Sequence, residues 1–213
     1  MRTARATFIW AALATAIGVP IVAAAASDLL AWRDPVYTLA GFAGIVALDL
    51  VLLQPLLIGG YLPGLSAIRR RAHQWIGAAL LGAVLIHVGG LWITSPPDMI
   101  DALLFASPTP FSPFGVIAMG AIVAVAILAA IRRRLRLRPR TWRMAHMILA
   151  VVIVVGGIVH AMLIEGTMGP VSKAVLCTLV VAATLKTMVD LRVWRRGATP
   201  RRDATAHSVD QPM

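Results

Sequence analysis

Read for its alternation of apolar and polar stretches, the 213-residue chain falls into six apolar runs joined by short polar connections. The runs cover roughly residues 7–27, 36–60, 74–94, 114–131, 144–164 and 170–191. Each is close to the ~20 residues that an α-helix needs to cross the hydrocarbon core of a bilayer. The pattern therefore predicts an all-α protein, a polytopic six-helix transmembrane bundle. The longest connection, TSPPDMIDALLFASPTPFSPFG, sets an apolar IDALLF among prolines and serines and predicts a short helix lying at the membrane surface. No internal repeat is strong enough to argue a duplicated fold. Residues 1–196 are expected to form the six-helix domain, and the polar tail 197–213 a disordered cytoplasmic extension.

The arginines orient the bundle. Arg2 and Arg5, Arg69 to Arg71, the run from Arg132 to Arg143, and Arg192 to Arg202 all fall on one side of the alternating runs. Asp28, Asp34, Asp98, Asp101 and Glu165 fall on the other, with only Arg33 and Lys173 as basic company. By the positive-inside rule the arginine side is cytoplasmic, so both termini are expected inside, in an inner (plasma) membrane crossed several times. The first run, after a basic start and with an Ala-rich end, also has features of a cleavable signal. Its ~21 apolar residues exceed a usual signal core of about 7 to 15, which favours a retained helix.

Composition agrees: 59% of residues are hydrophobic, 14% are charged, and the mean hydropathy is +0.83. The net charge of +11 does not point to nucleic acid, because the basic residues lie in short clusters between apolar runs without aromatic interleaving. Cys177 is the single cysteine, so the chain has no internal disulfide, no cysteine-rich metal site and no Cys-x-x-Cys-His for covalent haem attachment. Any haem would be held noncovalently, as a b-type.

Four of the five histidines form two pairs with one spacing. His73 and His87 bound HQWIGAALLGAVLIH, and His146 and His160 bound HMILAVVIVVGGIVH, fourteen positions apart in each case. Fourteen helical residues turn through about 1400°, within ~40° of whole turns, and rise about 21 Å, so each pair shares a helix face at two depths. The third and fifth runs cross in the same direction. If they face each other, His73 is level with His146 near the inner side and His87 with His160 near the outer side. Two opposed imidazoles suit the two axial positions of a haem iron, with the macrocycle inside the bundle. Zinc would want four ligands at one level, and no cysteine lies near either pair. An imidazole left unsatisfied in hydrocarbon costs several kcal/mol, roughly a lost buried hydrogen bond or more, and iron would satisfy it.

Gly77, Ala78, Ala79, Gly82 and Ala83, with Gly156 and Gly157, reduce bulk around the histidines, although small residues also serve ordinary helix packing. Arg71 and Arg143 stand at the inner ends of the two runs, where guanidinium groups would pair with haem propionates or simply mark the cytoplasmic rim.

These residues resemble the ferric reductase-like transmembrane domain family over about residues 36–192. The likeness rests on the His-x13-His of the third run, its match in the fifth, and WRMAH, which is similar to the family's Trp-Arg-x-x-His entry to that helix. The resemblance implies that His73, His87, His146 and His160 ligate two haems b, and that electrons pass from the cytoplasmic side to an outer acceptor. Larger members append FAD and NAD(P)H domains after the sixth helix. No flavin or nicotinamide domain is present in this sequence, and GGYLPG lies between membrane runs and is no dinucleotide fingerprint. A separate cytoplasmic flavoprotein or the quinol pool is the implied donor, and a ferric chelate, oxygen or a periplasmic redox protein the implied acceptor.

Other polar groups hold competing readings open. Asp49 within a span, with Gln54, suggests a quinol-linked cytochrome b subunit, a proton relay or a buried hydrogen bond. Asp49, Lys186, Asp190 and Glu165 would instead serve a haem-free transporter, and a haem-free assembly subunit would need none of them. Lys186 and Asp190, four apart, are expected to pair locally. Trp10, Trp75, Trp92 and Trp194 read as interfacial anchors.

Overall fold

The computed structural model describes residues 2–132 and 134–191, and the expected tail, with Trp194 and the last arginine cluster, lies outside the described residues. Every regular element among the described residues is helical: α1 (Arg2–Ala25), α2 (Pro35–Gly59), α3 (Arg69–Thr94), α4 (Pro96–Leu103), α5 (Ser112–Ile131), α6 (Pro139–Leu163) and α7 (Pro170–Asp190), with a 3-10 turn at Asp28–Leu30. All but α4 are long and apolar enough to span a membrane. The eight-residue α4 is the short helix expected in the longest connection.

The apolar runs locate the helices to within a few residues, but α1, α3 and α6 begin about one turn earlier than the runs, in the arginines. Arginine is a good helix former, and its long side chain can reach polar surroundings while the backbone hydrogen bonding continues. The entry to α2 is fixed by Asp34, whose Oδ1 accepts from the backbone N–H of Val36 at 2.7 Å and of Tyr37 at 3.2 Å, just ahead of Pro35. Its exit is fixed by Gly60, which takes the left-handed φ of 74° that ends a helix cheaply only at glycine.

Two antiparallel hairpins, α2 with α3 and α5 with α6, are the most extensive pairings, while α7 packs on α2 and α1 on both. Close approach within each hairpin needs glycine. A Cβ on Gly90 would fall 2.7 Å from Ala40 Cβ across the α2–α3 seam, and one on Gly156 would fall 3.0 Å from the Phe114 carbonyl oxygen across α5–α6. In contrast, α3 and α6 scarcely touch. One buried apolar cluster joins α1, α2 and α7 through Ala24, Ile45, Leu48, Leu52, Leu176 and Val180. A second joins the two hairpins through Ala47, Leu80, Val84, Ala121, Ile122 and Ile153.

The helices alternate in direction, so Arg5, Arg69 to Arg71, Arg132 and Arg143 share one end of the bundle and Asp34, Asp98, Asp101 and Glu165 the other. At the basic end Lys186 and Asp190 form the expected ion pair at 2.7 Å, and Tyr61 Oη donates to the same carboxylate oxygen at 2.5 Å, tying the α2–α3 connection to α7.

Replacing Gly90 with Ala is expected to destabilise the protein by about 1–3 kcal/mol, because neither backbone at the seam can yield without separating α2 from α3. Thermal unfolding in detergent measures this, and an unchanged midpoint would show that the seam has slack.

Candidate functional site

The structure brings the four spaced histidines together in two facing pairs. The rings of His73 and His146 lie 6.1 Å apart between centroids near the basic end, and those of His87 and His160 lie 6.4 Å apart nearer the acidic end. Both pairs bridge the gap between α3 and α6, which the helices themselves leave open. Two imidazoles bound on opposite sides of one metal ion at about 2.0–2.1 Å per nitrogen would hold their centroids roughly 6.3 Å apart. Both measured separations match that value. Each level supplies two imidazoles, and no group of three or more His, Cys, Asp or Glu gathers among the described residues. This donor set suits axial ligation of a planar macrocycle and does not suit a closed tetrahedral ion.

The rings near the acidic end are oriented by backbone. His87 Nδ1 donates to the Ala40 carbonyl at 2.7 Å, and His160 Nδ1 donates to the Phe111 carbonyl at 2.9 Å. A carbonyl can only accept, so the proton is on Nδ1 and the Nε2 lone pair is left free as a ligand. Near the basic end, Nδ1 of His73 and of His146 is buried without a hydrogen-bond partner. There His146 is held by stacking: the Trp142 ring lies 5.3 Å away at an interplanar angle of 27°, and the Arg132 guanidinium lies 5.2 Å over Trp142. Trp142 is the tryptophan of WRMAH, so the motif places an aromatic one turn ahead of the histidine, on the same face.

Arg71 and Arg143 are exposed at the starts of α3 and α6, two and three residues before His73 and His146. Neither forms an ion pair among the described residues, so both are free for an anionic group at that end.

The small residues sort by face. Gly77 and Gly157 share the histidine faces of α3 and α6, by helical rotation of ~40° and ~20° from His73 and His146. Gly77 packs against Gln54 on α2, and around Gly157 there is open space. Ala78 and Ala79 are exposed on the outside of the bundle, Gly82 lies about 180° from His73, and Gly156 serves the α5–α6 contact. Between the two levels the space is filled, not open, with Leu80, Val84 and Ile153 packed into one apolar plug.

Asp49 and Gln54 do not form a common site. They stand about 140° apart around α2. Gln54 turns to Gly77, whereas Asp49 shares the face of Ile45, Leu48 and Leu52 that packs towards α7. Asp49 is 3% exposed, and neither carboxyl oxygen has a partner. Glu165 is exposed beyond α6, and Asp190 is engaged with Lys186 and Tyr61. The carboxylates therefore do not line one path.

Trp10, Trp75 and Trp92 are exposed towards the ends of α1 and α3, as anchors would be. Missing from the sequence reading were Gly44 and Gly115. Added Cβ atoms would lie 3.0 Å from His87 Nδ1 and 2.6 Å from His160 Nδ1, so these glycines make the ring seats. Their signal is a glycine four residues after the accepting carbonyl, which is legible only once the partner helix is known.

A family model described as ferric reductase like transmembrane component matches residues 40–157, more than half of the chain. The match includes His73, His87 and His146 and stops just short of His160. No curated protein and no solved structure matches the chain.

Replacing Asp49 with Leu removes an uncompensated buried carboxyl and is expected to stabilise the protein by about 1–3 kcal/mol. A lowered unfolding midpoint would show that Asp49 has a partner in the membrane.

Proposed function

The chain belongs to the ferric reductase-like transmembrane component family, and from that premise we propose that it carries electrons across the membrane through two stacked b-type haems. The inner haem would be ligated by His73 and His146, and the outer by His87 and His160. The observation that carries this reading is the two facing imidazole pairs, 6.1 and 6.4 Å apart, across a gap that α3 and α6 leave open. Bound there, haem iron would exchange one electron at a time between its ferric and ferrous states.

The chain's own residues do the rest. Donation of Nδ1–H to Ala40 and Phe111 presents Nε2 of the outer pair, and Trp142 steadies the inner pair. Arg71 and Arg143, exposed at the basic end, would pair with haem propionates. Leu80, Val84 and Ile153 exclude water between the two levels and space them by a single packed layer. By the positive-inside rule the basic end faces the cytoplasm. The direction is then from a cytoplasmic-side donor, a separate flavoprotein or quinol, to an acceptor outside an inner (plasma) membrane. The protein is a multi-pass membrane component of an oxidoreductase that depends on that donor. A quinone site built on Asp49 and Gln54 loses support from their placement on different faces of α2.

The pairing makes a specific prediction for single substitutions. His73→Ala and His146→Ala are expected to leave the same residual low-spin haem spectrum, and His87→Ala and His160→Ala are expected to leave the other. Electron paramagnetic resonance with haem quantification per chain checks this. If His73→Ala and His160→Ala removed the same haem, or if no substitution lowered the haem content, the reading would be wrong.

A further inference from the structure

The two histidine pairs differ in what surrounds them, and the difference traces to two glycines. On α2 the Ala40 carbonyl is reached by His87 because residue 44, one turn on, is glycine. On α5 the Phe111 carbonyl is reached by His160 because residue 115, one turn on, is also glycine. Two helices of unrelated sequence thus use one device. The Phe111 carbonyl accepts from Gly115 N–H at 3.2 Å as well, so the helix bond is kept while the ring is added.

The inner level lacks this device. Fourteen residues after Ala40, in register with His73, comes Gln54, whose backbone lies close to the ring. One turn beyond it, where the outer level has Gly44, stands Ile58. His73 Nδ1 and His146 Nδ1 have no hydrogen bond of the kind seen at the outer level.

We propose that the two haem sites are set at different reduction potentials, with the outer site of His87 and His160 more negative than the inner site of His73 and His146. This rests on the haem reading above. An imidazole that donates Nδ1–H to a carbonyl carries more negative charge on its ring and is a stronger Nε2 donor. A stronger axial donor stabilises ferric iron more than ferrous iron and lowers the potential. The charge distribution acts in the same sense. Arg71, Arg132 and Arg143 lie at the inner end and favour an added electron. Asp34, Asp98, Asp101 and Glu165 lie at the outer end and oppose one, against only Arg33, which stacks on Tyr37, and Lys173, which donates to the Ile164 carbonyl.

The test is a potentiometric titration of the purified, haem-loaded full chain, followed by haem absorbance. The wild type is expected to titrate as two one-electron components. The His73→Ala chain, which keeps the outer site, is expected to show the more negative of the two, and the His87→Ala chain the more positive. Should those chains fail to load, Gly115→Ala addresses the same point by pushing His160 from the Phe111 carbonyl. It is expected to move the more negative component to higher potential, or to remove it, while leaving the other in place. A single wild-type component, a reversed assignment, or a Gly115→Ala shift confined to the more positive component would overturn the inference and leave the haem reading standing. A protein that takes up no haem would overturn both.

Discussion

A polar side chain in hydrocarbon must be satisfied inside the protein, and the arrangement of α2, α3, α5 and α6 follows from how four imidazoles meet that requirement. Each ring has two nitrogens. Near the acidic end one nitrogen is satisfied by a backbone carbonyl that is already part of a helix ladder, and the other is left free as a ligand. Near the basic end Nδ1 of neither ring has a hydrogen-bond partner, and Trp142 stacks on His146. A bundle that only needed to fill space would bring α3 and α6 into contact and put apolar side chains at these four places. Instead the helices stand apart at the histidine levels and the apolar plug lies between them.

The packing makes that separation affordable. The two hairpins are sealed within themselves by small residues, with Gly90 against Ala40 and Gly156 against Ala118 and the Phe114 carbonyl. With the α2–α3 and α5–α6 contacts this extensive, the hairpins meet through a small apolar cluster that includes Ala47, Leu80, Val84, Ala121, Ile122 and Ile153. α1 and α7 then cover the far side of α2. Dispersion between closely approaching backbones is what holds helices together where lipid tails are as apolar as leucine.

Much of this was legible in the sequence. Six runs of spanning length fix six helices, and the arginine alternation fixes which ends lie together. The fourteen-residue spacing is an angular statement about a helix, so it also fixes that the histidines of a pair share a face. What it cannot contain is which helix stands opposite, and three features depend on that. The roles of Gly44 and Gly115 follow from the ring each receives from a neighbouring helix. The small residues of α3 look alike in sequence, yet Gly77 lies inside the bundle and Ala78 and Ala79 outside. Asp49 and Gln54 look like one site because they are five residues apart, and five residues carry them to different sides of α2. No repeat was visible either, because the shared carbonyl-and-glycine device of α2 and α5 depends on two residues four apart with nothing else in common.

The central claim is that facing imidazoles at two depths hold two haems. Its most direct test is the dithionite-reduced minus oxidised visible spectrum of the detergent-purified wild-type chain after haem-supplemented expression, with a pyridine haemochrome assay on the same sample. The account predicts sharp low-spin b-type bands and about two haems per chain. A colourless protein would contradict it.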